Sequence, residues 1–298
     1  MNSTSTCTIG SVTSNDGTTI GYRQLGDGPA VVLLHGGMES AVSHIELAEA
    51  LADTYTVYLP DRRGRGASGP FGAGFGVQQE VEDVDAVLTK TGAHDVFGLS
   101  AGAIVMLEAA LALPAIHKAV IFEPPLAVDG VVPRDWPERW MPRLDREIAQ
   151  GNMAAALVTG MLAAQIGPPI VNLMPRWLLE RLTKMMIASE DQLAKPGDVT
   201  FGALARTLHY DVQLILDTKG ALERYRRIPA EVLLLGGSKS RPPWLRHVLD
   251  SLEKVLPRVR RVEFAGLGHG ASGNTDDPRN GSGARPRLVA EEMRRFFA

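Results

Sequence analysis

Short apolar runs, each closed by a glycine or a polar residue, alternate along this chain with segments whose apolar positions recur at helical spacing. TTIGYRQLG near the start reads as an antiparallel entry strand. AVVLLHG (30–36), TYTVYLPD (54–61), HDVFGLS (94–100) and HKAVIFE (117–123) are predicted central strands, each an apolar core between polar or Gly signals. Between them IELAEALAD, EVEDVDAVLTKTG and AGAIVMLEAALALP have helical spacing. EVLLLGG and RVRRVEFAG add two later strands, and RPRLVAEEMRRFFA closes the chain as an amphipathic helix. The alternation predicts an α/β fold, a mainly parallel sheet covered by helices on both faces.

The interval 124–227 departs from this pattern, with helical spacing and little that reads as strand. It is expected to be a helical insertion between two parts of one core, 1–123 and 228–298. Six of the ten methionines (Met141, Met153, Met161, Met174, Met185, Met186) and three of the four tryptophans (Trp136, Trp140, Trp177) fall inside it. Packing of the insertion against itself accounts for most of them, and an adaptable apolar pocket is the alternative. DRRGRGASGPFGAGFG and GASGNTDDPRNGSGARP read as loops.

With 298 residues, 45% hydrophobic and 22% charged, the chain can build a sizeable core. A formal charge of −3, without any Lys/Arg run, gives no reason to expect nucleic acid; a small-molecule substrate is the expected partner. Cys7 is the only cysteine, in a polar N-terminal segment read as mobile, so neither an intrachain disulfide nor a thiolate metal cluster is available. The first residues carry no basic, then apolar, leader pattern, and no run approaches the ~18 apolar residues of a membrane span. A cytoplasmic protein without a membrane span is expected.

Gly98-Leu99-Ser100-Ala101-Gly102 matches G-x-S-x-G between an apolar strand and an apolar helix. There the glycines permit a sharp, strained turn that lifts the Ser100 hydroxyl to the C-terminal edge of the sheet. The bland alternative is a chance turn of small residues. A serine nucleophile requires a base, and its oxyanion requires preorganised donors. Of the seven histidines, His94 and His117 precede strands, on the opposite edge. His44, His209 and His247 fall in helical patterns suited to surface side chains, and His35 suits an oxyanion loop. His269, in FAGLGHGASG after the last strand, is the candidate base, a plain loop histidine being the alternative. The expected donors are the backbone N–H groups of Ala101 and Gly37, with Met38 the second choice; Gly37 as an ordinary turn glycine is the counterpart reading.

HGG at 35–37, DRRGRGASG at 61–69, GLSAG at 98–102 and GLGH at 266–269 together resemble the α/β-hydrolase fold family, over nearly the whole chain from about residue 21. The resemblance implies an eight-stranded, mostly parallel sheet, a helical cap after strand six, the order Ser, acid, His, and structural roles for Asp61 and Arg63. It also implies an acid after the seventh strand, where this chain has Ser238, Lys239 and Ser240. Glu123, at the tip of IFEPPL on the strand beside the nucleophile strand, could instead accept from Nδ1–H of His269, with Pro124 and Pro125 biasing it toward extended backbone. Three alternatives stay open: a structural Glu123 paired with an arginine, an acid from the cap (Asp211 or Asp217), or a site without an orienting carboxylate.

The expectation is therefore a serine hydrolase without metal or cofactor. It would cleave an ester, lactone or related acyl substrate of apolar character through Ser100, His269, Glu123 and an acyl-enzyme. A non-catalytic ligand-binding homologue (sensor or carrier) and a C–C bond hydrolase on the same fold are the alternatives. A nicotinamide oxidoreductase is disfavoured, because neither HGGMES nor DRRGRG supplies G-x-G-x-x-G with its helix and acid.

Overall fold

The computed structural model describes residues 7–130, 136–165, 171, 173–195, 198–277, 280 and 283–298. Its strands are β1 (Thr8–Thr13), β2 (Thr19–Leu25), β3 (Ala30–Leu34), β4 (Thr56–Pro60), β5 (Asp95–Leu99), β6 (Lys118–Phe122), β7 (Glu231–Gly237) and β8 (Val259–Phe264). They form one eight-stranded sheet in the order β1-β2-β4-β3-β5-β6-β7-β8. Pairing is antiparallel between β1 and β2 and between β2 and β4, and parallel throughout the rest.

Side chains alternate between two cores, as the period-2 geometry of a strand requires. Val32, Leu34, Val96, Ile121, Val232 and Leu234 join one buried cluster, with residues of α2 (Val77–Thr91), α3 (Ala101–Ala112) and α9 (Trp244–Val255). Val31, Leu33, Phe97, Val120, Phe122 and Leu235 join the other, with α1 (Ile45–Leu51) and α10 (Pro286–Phe297). Burial on both faces is why these strands read as continuous apolar runs.

TIGSVT is an edge strand, which corrects the reading of the N-terminal segment as mobile from Thr8 onward; residues 1–6 lie outside the described residues. Its residues are exposed or half-buried, so no apolar run announces it. An Asn15-Asp16-Gly17 turn, with Gly17 at φ +86°, folds it back onto β2.

Between β6 and β7 the described residues form α4 (Trp136–Ala149), α5 (Met153–Ala163), α6 (Arg176–Leu193), α7 (Phe201–Ala205) and α8 (Leu208–Asp217). Met141 is buried, but Trp177, Met185 and Met186 on α6 are exposed, so internal packing does not account for those three; the Trp136 side chain lies outside the described residues. Helix α8 is docked on the loop before α2: Tyr210 stacks on Phe71 at 3.5 Å, and Asp217 accepts the Val77 N–H. Among the described residues no helix is long and apolar enough to cross a membrane.

Candidate active site

Ser100 stands between β5 and α3 at φ +53°, ψ −119°, a strained conformation for a residue with a side chain. The neighbouring glycines make the turn possible. A Cβ on Gly98 would lie 2.5 Å from the Gly102 carbonyl oxygen, and one on Gly102 would lie 2.4 Å from that of His35. The Ser100 N–H donates to the Phe122 carbonyl at 2.9 Å, which ties the turn to the end of β6. The Ser100 hydroxyl has no hydrogen-bond partner among the described residues.

Glu123 follows β6 directly. It is buried, with one carboxylate oxygen accepting from the Gly237 N–H and the other 2.7 Å from His269 Nδ1. Gly236 makes room for it, since a Cβ there would sit 3.0 Å from Glu123 Oε1. The glycines at the exit of β7, where the family resemblance would put the acid, thus house a carboxylate from the end of β6. The backbone of Glu123 corrects an expectation: it is left-handed, φ +44°, and not extended. Two half-buried partners, the Gly237 N–H and His269, fix the carboxylate and offset a cost of about 1–3 kcal/mol for such backbone. Burial alone would lower the His269 pKa; the hydrogen bond and charge of Glu123, with a smaller contribution from Glu39, reverse this and hold it above the usual 6.5.

The loop after β3 brings Gly36 against Ser100, for a Cβ on Gly36 would be 3.1 Å from Ser100 Cβ. The N–H groups of Gly37 and Ala101 have no partner among the described residues, and Met38 sits at φ +56°. Gly36 itself is pinned, its N–H donating to Glu39 Oε2 at 2.7 Å.

Glu39 carries a second acid–histidine pair that sequence reading missed. His44 is buried and not at the surface, with Nε2 3.1 Å from Glu39 Oε2 and Nδ1 3.1 Å from the Ser272 carbonyl. Both ring nitrogens face acceptors, so the pair holds a shared proton. Burial would raise the Glu39 carboxyl, yet the charge and hydrogen bond of His44 and the Gly36 N–H bring it down to about 2. Ser272 belongs to the His269 loop, so this pair links the loop after β3 to it. The spacing of Glu39 and His44 matches no motif; only the position of Ser272 reveals their purpose.

The other candidates have different partners. Asp211 pairs with Arg62 and Arg65, and Asp217 caps α2, so neither is the partner of His269. Asp61 accepts from the N–H groups of Ala41 and Ala67, and Arg63 pairs with Asp83 and Asp16. His94 stacks on His117, His209 pairs with Asp145, and His247 is exposed.

Residues 31–280 match the Alpha/beta hydrolase family, and the chain belongs to that family. An alpha/beta hydrolase from Sphaerobacter thermophilus DSM 20745 is 31% identical, covers 97% of this chain and 100% of its own, and superposes with a TM-score of 0.73. The thermophilic esterase of Thermogutta terrifontis, 16% identical over 97% of this chain and 98% of its own with a TM-score of 0.69, shares the fold. YraK, a hydrolase of Bacillus subtilis (strain 168), is 34% identical over 113 residues, which are 36% of this chain and 42% of that protein's length.

Proposed function

We propose that the protein is a serine hydrolase that cleaves an ester, lactone or related acyl substrate by a Ser100–His269–Glu123 triad beneath a helical cap. The observation that carries this reading is the buried Glu123 carboxylate, 2.7 Å from His269 Nδ1 and fixed on its other oxygen by the Gly237 N–H. A carboxylate in that position sets the tautomer of the imidazole and stabilises the imidazolium that forms during attack. Ser100 Oγ adds to the substrate carbonyl carbon as its proton passes to His269 Nε2, and the carbonyl oxygen becomes an oxyanion held by the Gly37 and Ala101 N–H groups. Collapse breaks the bond to the leaving alkoxide, which takes that proton. Water then adds to the acyl-enzyme with His269 as base, and the acid is released with Ser100 restored. The Ser100–His269 hydrogen bond forms when substrate fills the site, since such bonds tighten in the Michaelis complex.

The acyl group of the substrate is proposed to be apolar in character. The fold-level likeness to an esterase points the same way. Reaction with a fluorophosphonate probe tests the reading: stoichiometric labelling of the wild type and none of Ser100→Ala is expected. A wild type that stays unlabelled leaves a ligand-binding homologue in its place.

A further inference from the structure

The residue that follows Asp61 in DRRGRG is Arg62, whose side chain lies almost wholly out of solvent beneath the loop after β3. Glu80 of α2 holds it by two hydrogen bonds, 2.6 Å to Nε and 2.7 Å to Nη2. Its third nitrogen, Nη1, donates to Asp211 of α8 at 2.9 Å and to the Gly36 carbonyl at 3.3 Å. His35 holds the same carbonyl: the Arg62 backbone N–H donates to His35 Nε2, so Nδ1 carries the proton and donates to Gly36 O at 2.9 Å. Burial first, then the charges of Arg65 and Arg62, keeps that imidazole neutral.

The Gly36 carbonyl and the Gly37 N–H belong to one planar trans peptide and point in opposite directions. Anchoring the carbonyl on Arg62 and His35 therefore aims the Gly37 N–H away from them. Asp211 is the only described residue of the insertion that bonds to Arg62. Its Oδ1 takes both Arg62 and Arg65, while Oδ2, buried and without a partner, lies 3.0 Å from where a Cβ on Gly37 would be.

We infer that Arg62 and Asp211 are positioning residues for the oxyanion donor. Through them the seating of α8 on the core sets the direction of the Gly37 N–H. The inference rests on the hydrolase reading above. Asp211 touches no reacting atom in it; it acts by holding Arg62 against the Gly36 carbonyl.

The test measures kcat and KM on p-nitrophenyl acyl esters, together with Ki for a trifluoromethyl ketone whose Ser100 adduct places an oxyanion on the same donors. Loss of a whole oxyanion donor costs about 10²–10³ in kcat, so a misaimed one in Asp211→Asn should cost about 10- to 100-fold. KM should stay within about threefold, and Ki should rise by the factor by which kcat falls. A merely structural aspartate would lower the amount of folded protein without moving kcat and Ki together. If Asp211→Asn does not fold, Asp211→Glu keeps the charge beside the two arginines and displaces it, and the same parallel loss, smaller in size, is expected. Unchanged kcat and Ki in the variant that folds, or a change in KM alone, overturns the inference. Wild-type labelling by the fluorophosphonate is measured alongside. If it is absent, the hydrolase reading fails and takes this inference with it; if it is present and Ki is unmoved, this inference alone fails.

Discussion

Two neighbouring strand ends divide between them a task that one residue could perform. β6 ends in Glu123, with a carboxylate and a strained backbone; β7 ends in Gly236 and Gly237, with no side chain at all. The carboxylate of the first occupies the space left by the second and accepts its N–H. Adjacent strands are only about 4.8 Å apart, so a longer side chain on one can reach the position that a shorter side chain on the other would hold. The buried acceptor beside His269 Nδ1 is supplied here from the end of β6.

Removing the carboxylate is the most severe way to break this division. Glu123→Gln is expected to lower kcat by on the order of 10⁴, read in steady-state hydrolysis of any ester the wild type cleaves. Near-normal turnover would remove Glu123 from the mechanism. Filling the space from the other side should cost less. In Gly236→Ala the new methyl meets Glu123 Oε1 and, at 2.7 Å, Leu249 Cδ1. A displaced carboxylate should lower kcat by about 10- to 100-fold. An unaffected Gly236→Ala would show that the glycine is not what admits Glu123.

Moving the acid back sharpens the comparison. Glu123→Ala combined with Ser238→Asp is expected to recover about tenfold in kcat over Glu123→Ala alone, because the donor on His269 regains an acceptor from β7. No recovery would mean that the β7 exit cannot reach His269 in this chain.

Electrostatics separates the near carboxylate from the more distant one. His269 must be neutral to act as base, and its pKa is raised, so kcat/KM should fall as pH drops through a value above 6.5. Glu39→Gln removes one of the raising charges and should move that acid limb to lower pH, measured as a full pH profile. The smallest effect is on stability. The folded-state pKa of Glu39 is depressed to about 2, so its contribution is present above the unfolded carboxylate range and is lost as pH falls toward 2. Thermal unfolding from pH 5 downward should show a shallower loss in Glu39→Gln than in the wild type.

The buried strands were legible because burial on both faces leaves an unbroken apolar run, and the serine turn because sterics leave so few residue choices around it. β1 was not, since an edge strand exposed to water needs no apolar pattern. The backbone of Glu123 misled a local reading: proline biases the preceding residue toward extended geometry, but two distant partners on β7 and the His269 loop decided the matter. His44 resembled a surface residue because its helical spacing is local information, whereas Ser272 lies 228 residues away.

By itself, then, the sequence determined the strands from β2 to β8, the strained serine turn and the order of the chemistry-bearing residues, since these follow from short-range sterics and from the period of burial. Only the tertiary structure decided which acid faces which histidine, that the β7 glycines are a receptacle, and that Asp211 reaches under the loop after β3. Each of these joins residues far apart in the chain, where the partner of a buried charge is chosen by which strand ends and loops the fold sets side by side.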